Sequence, residues 1–335
     1  MAVKIKDVAR EANVSVATVS RVLNNVPLVN DDTKKRVQDA IKRTGYKPNA
    51  IARSLKMQKT NTFGIMIPDI TSPYYTEIVR GVEDICNMYD YHIILCNTDS
   101  NAKKEETYLD VLIEKQCDGI LYIGKGISQE LKNKMVDSNV PLVIGAIHDH
   151  EYSIPSVMID NEKAAYDIAK FLIEKGHKEI AYFSDNDHNA LVAREREEGF
   201  RNALEEEGLE LPKEWEKMGE TTVLGGYKMM EALLKEERRP TAIVAVNDEA
   251  ALGAIRKASE EGINIPRDMS ICGYNNYYIS EWVRPSITTV AQPMYDIGAV
   301  SARMLIKMIN DEELASKHII VPHEIIERES TSSII

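Results

Sequence analysis

The chain has no CxxC pair, no phosphate-cradling glycine loop and no apolar run long enough to span a bilayer. Its four cysteines, Cys86, Cys96, Cys117 and Cys272, stand far apart, three of them in or beside apolar strand-like runs. They read as buried free thiols in a reducing compartment, not as disulfides or a metal cluster. Charges interrupt residues 1–25 throughout, so no signal-peptide core is expected there; the protein is expected to be cytoplasmic, with no membrane partner. Acid–base groups occur at His177 and in the stretch from Ser184 to His188, but no nucleophile is paired with a base. An enzyme is not expected, nor is a cofactor or a metal. There is no short repeat and no low-complexity tract.

What is present is a chain of 335 residues, 44% hydrophobic and 28% charged, with room for a small module and one large or two medium domains. The net charge of −12 conceals an asymmetry. Residues 1–60 hold 13 Lys+Arg against 5 Asp+Glu, whereas the remainder is strongly acidic. A basic front on an acidic body is the electrostatic footprint of a polyanion-binding segment, and the acidic bulk keeps a polyanion to that segment.

Within the basic segment, Ile5, Val8, Ala9 and Ala12 follow the spacing of a short one-faced helix. Asn13-Val14-Ser15 interrupts it, and Ser15 is placed to cap a second helix, in which Val19, Val22 and Leu23 repeat the apolar spacing. The other face of that helix carries small and polar groups, the pattern of a helix-turn-helix that lays its second helix in a major groove. Val16 and Ala17 suit thymine methyls, and Arg21 suits guanine O6 and N7. Ser15, Thr18, Ser20 and Asn24 are short donors suited to phosphates. The bland alternative is a helical hairpin with a polar outer face.

A third helix is expected from a cap at Asn30 to a stop at Gly45, closing a core with Val37, Ala40 and Ile41. Pro48 then breaks the chain, and Asn49 to Lys56 can form two helical turns, too few for stability alone in water. Such a segment can be a conditional hinge whose Leu55 wedges into a minor groove. It can equally be a plain linker, and spacing alone leaves the two open.

From Asn61 the pattern alternates strand and helix. Apolar runs at Phe63–Ile67, Ile93–Leu95, Ile120–Ile123 and Leu142–Ile144 alternate with helical patterns, and a second such set runs from Ala164 to Gly273. Two doubly wound lobes in series leave a cleft between their strand ends, where ligands favour binding.

The stretches DVAREANVSVATVSRVLNN, GYKPNAIARSL, IPDITSPYY, IPSVMIDN, EKGHKEIAYFS, PTAIVAVNDEAALGAI and RPSITTVAQP, in this order, resemble the lactose/galactose repressor family of bacterial transcription regulators over essentially the whole chain. The resemblance implies a small all-α helix-turn-helix headpiece (1–47), a hinge helix and linker (48–60) and a two-lobed α/β periplasmic-binding-protein-like core of doubly wound parallel sheets (61–335). Three crossovers are implied near Ile159–Asn161, Val290–Gln292 and Ile320–Pro322. They divide the core into one lobe of about 61–160 and 293–319 and another of about 161–290 and 322–335. It implies a homodimer reading a palindromic double-stranded DNA operator. Val16, Ala17 and Arg21 would then contact bases, and Ser15, Thr18, Ser20 and Asn24 the backbone. Asn49, Ala52 and Leu55 would form the hinge, with Leu55 as the minor-groove wedge.

Two places are expected to receive a signal. One is the cleft, where Arg196 and Asn247-Asp248 match family effector residues, with Tyr74, Tyr75 and Asn275 beside them. A sugar or sugar phosphate is the expected ligand, since converging polar groups recover the hydrogen bonds each hydroxyl loses. Against this, Asp248 could simply cap a helix and Arg196 form a surface pair. Asn275-Asn276 also replaces the aspartate common in the family, which weighs against a tight free-sugar site. The other is the helix after Pro293, where Asp296, Val300, Arg303 and Lys307 share a face bordered by Tyr295. In the catabolite-control members of the family the matching tyrosine, arginine and lysine bind serine-phosphorylated HPr. The alternative for that helix is a solvated charge stripe. The expected function is a repressor of carbon-source use with HPr as corepressor, aided by a phosphorylated sugar; the competing one is a local repressor governed by a free sugar in the cleft.

Overall fold

In the computed structural model the described residues are 3–23, 29–46, 59–149, 151, 153–187 and 190–334. They fall into two units, Met1–Thr60 and Asn61–Ile335. Asn24, Asn49, Ala52, Leu55 and His188 lie outside the described residues.

The first unit is three helices, α1 (Ile5–Glu11), α2 (Val16–Leu23) and α3 (Asp31–Thr44). Their ends follow from local chemistry. Asn13 takes the left-handed conformation (φ 50°) that breaks α1. The Ser15 hydroxyl accepts from the Thr18 amide at 3.1 Å and starts α2. Asn30 Oδ1 accepts from the Thr33 amide at 2.8 Å, and Gly45 closes α3 at φ 66°. Val8, Ala9, Ala12, Val19, Val22, Val37 and Ala40 form the core. Arg36, on α3, donates to the carbonyls of Ala12 (3.0 Å) and Asn13 (3.3 Å) and so fixes the turn between α1 and α2. Sequence periodicity gave no sign of that clamp.

The second unit begins with β1 (Thr62–Ile67), α4 (Pro73–Met88), β2 (His92–Asn97), α5 (Ala102–Glu114), β3 (Gly119–Ile123), α6 (Gln129–Asp137), β4 (Leu142–Gly145) and β5 (Ser156–Met158). It continues with α7 (Asn161–Glu174), β6 (Ile180–Asp185), α8 (Leu191–Glu206), β7 (Glu216–Gly219), α9 (Val223–Leu233) and β8 (Ala242–Ala245). Then come α10 (Asp248–Glu260), β9 (Ser270–Asn275), α11 (Tyr278–Trp282), β10 (Thr288–Ala291), α12 (Met294–Ile309), β11 (His318–Ile320) and β12 (Glu324–Ile326).

Two six-stranded sheets result, ordered β2-β1-β3-β4-β5-β11 and β7-β6-β8-β9-β10-β12. Each reverses its winding next to its first strand, at β1/β3 and at β6/β8, which is where a doubly wound sheet opens a crevice. The chain changes sheet three times: after β5, after β10 and after β11. All strand pairs are parallel except β10–β12, where Val290 faces Ile325 in antiparallel register.

Helices weld to one another through glycine. A Cβ on Gly298 of α12 would sit 1.9 Å from the Ile78 carbonyl of α4, and one on Gly81 would sit 2.1 Å from the Tyr295 carbonyl. The two backbones therefore touch, and α12 is held rigidly on the first lobe although it follows the second in sequence.

Candidate functional site

In the first unit, the residues expected to meet DNA can be placed on α2 and at its start. On α2, Val16 (39% exposed), Ala17 and Arg21 point outward, with Ser15 exposed at its start and Thr18 and Ser20 half-buried. Val19 and Val22 face the core. The residues expected to read bases thus share the outer face of one helix, and its hydrophobic face holds it in place.

The cleft of the second unit is a cavity of about 760 Å³ at the strand ends. Pro68 and Asp69 after β1 and Lys125 after β3 line one side, and Asp185 at the end of β6 and Asn247 after β8 line the other. These are the two winding reversals. Lys125 Nζ bridges to Asp185 Oδ2 across the lobes at 3.1 Å, and His148 Nε2 meets Glu195 Oε1 at 2.8 Å. The Lys125 carbonyl also accepts from the Leu191 amide at 3.3 Å.

Arg196 is 9% exposed and lines this cavity. Its Nε donates to Asn161 Oδ1 at 3.1 Å, its Nη1 to the Val246 carbonyl at 3.3 Å, and its guanidinium lies 3.7 Å from the Tyr274 ring centroid. It is therefore a fixed plane inside the cleft and not half of a surface pair. Tyr74 and Tyr75 meet edge-on at 5.2 Å, and burial pushes the Tyr74 hydroxyl up to about 12 against the opposing pull of Arg196. Burial raises Tyr75 further, so both phenols stay neutral donors and acceptors.

A network crosses between lobes. Tyr74 Oη donates to Gln292 Oε1 (3.3 Å), Gln292 Nε2 to Asn275 Oδ1 (2.6 Å), and Asn275 Nδ2 to Tyr277 Oη (2.7 Å). Asn275 and Asn276 both hold positive φ, 98° and 59°, which short amide side chains tolerate. The amide at 275 both accepts and donates, a role an aspartate at this position could not fill.

Asp248, expected beside Asn247 as an effector residue, does not line the cleft. It is fully buried behind the rim, accepting from the Tyr277 amide and from Thr289 Oγ1, both at 2.6 Å. Nor does it cap α10: Asn247 does, its Oδ1 accepting from the Ala250 amide at 2.8 Å. Asp248 anchors the loop that presents Asn275 and Tyr277. Sequence reasoning did not place Lys125, Asp185, Tyr182, Tyr277 or Gln292 in the cleft; Lys125, Tyr277 and Gln292 lie one or two residues beyond strand ends and Asp185 closes β6, which was the available signal, whereas Tyr182 sits inside β6.

On α12, Tyr295, Asp296, Arg303 and Lys307 are exposed and Val300 is half-buried, all on one face. Tyr295 Oη donates to Asp84 Oδ2 at 3.0 Å, and Arg80 Nη2 pairs with Asp84 Oδ1 at 2.9 Å. Among the described residues neither Arg303 nor Lys307 has an ion-pair partner. All four cysteines are free and buried. No group of described residues could hold a metal ion, and no described helix is long and apolar enough to cross a membrane.

A helix-turn-helix module on a two-lobed core with a polar cleft defines a DNA-binding regulator with a receiving domain. Residues 4–49 match the family described as bacterial regulatory proteins, lacI family, and residues 169–331 match the periplasmic binding protein-like domain. Catabolite control protein A of Priestia megaterium is 44% identical over 331 residues, 99% of this chain and 100% of that one. The HTH-type transcriptional regulator RegA of Clostridium saccharobutylicum is also 44% identical over 331 residues, with the same coverage. Among solved structures, transcription regulator CcpA of Lactococcus lactis matches at 36% identity and TM-score 0.75, over 81% of this chain and 98% of that one. The Lac repressor dimer bound to operator and the anti-inducer ONPF shares the fold, with TM-score 0.91 at 23% identity over 99% of this chain and 100% of that one. The chain belongs to the lacI family of bacterial regulatory proteins. It is a DNA-binding transcription regulator and not an enzyme.

Proposed function

We propose that this protein represses genes of carbon-source use in the cytoplasm, binding a palindromic operator as a homodimer, with serine-phosphorylated HPr as corepressor. The observation that carries the corepressor is the α12 face. Arg303 and Lys307 stand exposed and without an ion-pair partner among the described residues, beside Tyr295 and Val300. Arginine pairs with phosphate bidentately, and an adjoining apolar patch adds area. The glycine contacts between α4 and α12 make that face move with its lobe as one body, so a docked partner acts on the lobe and not on a loose helix.

The mechanism is a population shift. The corepressor favours the arrangement of first lobes that brings two hinge segments together; Asn49, Ala52 and Leu55 then order in the minor groove, and Val16, Ala17 and Arg21 settle on base edges. The corepressor must bind this arrangement better than the other, since equal affinity shifts nothing. The test is operator affinity by fluorescence anisotropy, on duplexes selected from random DNA, with and without serine-phosphorylated HPr. Tighter operator binding with the phosphorylated partner, abolished by Arg303→Glu, is the expected result; no effect of the partner removes the corepressor from the scheme.

A second input is favoured by the cleft itself. Its volume, its tyrosines and the fixed Arg196 suit a small hydroxylated effector. If that input acts alone, the protein is a local sugar-responsive repressor, and operator affinity responds to a sugar with no partner protein added.

A further inference from the structure

Lys125–Asp185 and His148–Glu195 both join the lobes, but they differ in what they need. His148 follows β4 in the first lobe and is buried; Glu195 lies in α8 of the second. The ring is held at both nitrogens. Nδ1 stands 2.9 Å from the Asp149 carbonyl, and Nε2 stands 2.8 Å from Glu195 Oε1. A carbonyl and an ionised carboxylate only accept, whereas a neutral imidazole donates from one nitrogen alone. With a neutral ring and an ionised Glu195, one of the two contacts sets lone pair against lone pair. Both contacts hold together only when the His148–Glu195 pair keeps an extra proton, on the ring or on the carboxyl. His177 shows the contrast. Its ring meets the Thr241 hydroxyl and the Ser332 carbonyl, each at 3.0 Å, and a neutral ring serves both.

The charged groups around the ring have partners of their own. On its loop, the Asp149 carboxylate is fully buried. Burial pushes it up, but Lys132 Nζ at 2.7 Å, the Ile154 amide and Ser153 outweigh that and hold it well below the usual carboxylate range. Asp149 and then Glu151 raise Lys132, on α6, in return. On α8, Arg194 is exposed and Arg196 is turned to Asn161 and the Val246 carbonyl. Lys125 and Asp185 meet each other, and Asp160 caps α7 through the Lys163 amide at 2.9 Å. The variable charge at this junction therefore sits in the His148–Glu195 pair, and imidazole is the side chain whose charge changes near neutrality.

We propose that closure of the lobes is proton-coupled, with His148–Glu195 as a latch that holds while the pair keeps its extra proton and releases as that proton leaves. An arrangement favoured by a bound proton is lost as pH rises. By linkage, a signal that acts through closure gains from acid and one that acts through opening is opposed by it, whichever ligand the cleft receives.

The amide of Leu191 reads the latch. It opens α8, where no carbonyl of its own helix reaches it, and it donates to the Lys125 carbonyl across the lobes at 3.3 Å. The test is hydrogen exchange of the full chain at single-residue resolution between about pH 5.5 and about pH 8.5, each rate divided by the intrinsic rate at that pH. Protection of Leu191 should fall about tenfold over that range in the wild type, the size of one charge-assisted hydrogen bond. Glu195→Gln offers the neutral ring an N–H donor, so its latch needs no extra proton; the fall should be absent and protection should stay at the wild type's acid-side level. His148→Gln should likewise show no trend with pH. Constant protection in the wild type, or a fall of the same size in either variant, overturns the proposal.

Discussion

Replacing Asp248 by asparagine should remove a pH dependence from the stability of the second unit. The carboxyl is fully buried, and burial pushes it from 3.8 up to about 7, against the downward pull of Thr289, the Tyr277 amide and Arg328. A carboxyl raised in the folded state keeps its full contribution at pH values below the unfolded range and loses it as pH climbs through the folded value. With these two values, the wild-type chain should lose roughly 2 kcal/mol relative to Asp248→Asn between about pH 5.5 and about pH 8.5. The other carboxylates titrate alike in both proteins and cancel in the difference. Loss of one hydrogen-bond preference offsets the variant by a constant amount and does not tilt the comparison. Urea unfolding followed by tryptophan fluorescence reads the right region, because the chain's two tryptophans, Trp215 and Trp282, both lie in the lobe that holds Asp248. Parallel pH profiles for the two proteins, or a difference of opposite sign, would refute the argument.

Gly298→Ala places a methyl where the Ile78 carbonyl lies 1.9 Å away, so α12 must lift from α4. Overpacking of this kind costs about 2–3 kcal/mol, read as a lower thermal midpoint, and should also weaken any partner bound on the α12 face. Arg21→Ala should cost roughly 1–3 kcal/mol in operator binding and relax preference at one base pair, while low-salt binding to unrelated duplex falls far less; a uniform loss across sequences would assign Arg21 to the phosphates. Arg36→Met frees the carbonyls of Ala12 and Asn13, bonded at 3.0 and 3.3 Å, and should destabilise the helix pair by about 1 kcal/mol. Hydrogen exchange of residues 5–44 in the full chain should rise in that variant, with the core unchanged.

The legible parts of the sequence were those with a period. The three N-terminal helices, their caps at Ser15 and Asn30 and the stop at Gly45 follow from spacing and local hydrogen-bond chemistry. The central strands were readable because strands covered on both faces become continuous apolar runs, as in β3 and β4, which are buried throughout. The shortest elements were not. Strands β5, β7, β11 and β12, of three or four residues, and the five-residue α11 are too brief for any period to declare itself. The cleft was readable as a place but not in its wiring. Asn247 and Asp248 are adjacent in sequence, yet one faces the cavity and the other is sealed beneath it, a difference set by how α10 leaves β8. Lys125–Asp185 and His148–Glu195 join residues on different lobes, and no local pattern encodes such a meeting.

The three changes of sheet have a consequence for how the molecule is made. During synthesis, the first lobe lacks its outer strand β11 and its covering helix α12 until the ribosome has delivered all of β6 to β10. For that interval the apolar surface those elements cover has no cover of its own, and exposed surface of this kind favours aggregation of a nascent chain paused in the middle of the second lobe. By the same logic, neither lobe can be cut out as one continuous fragment: each is finished only by a segment borrowed from beyond the other.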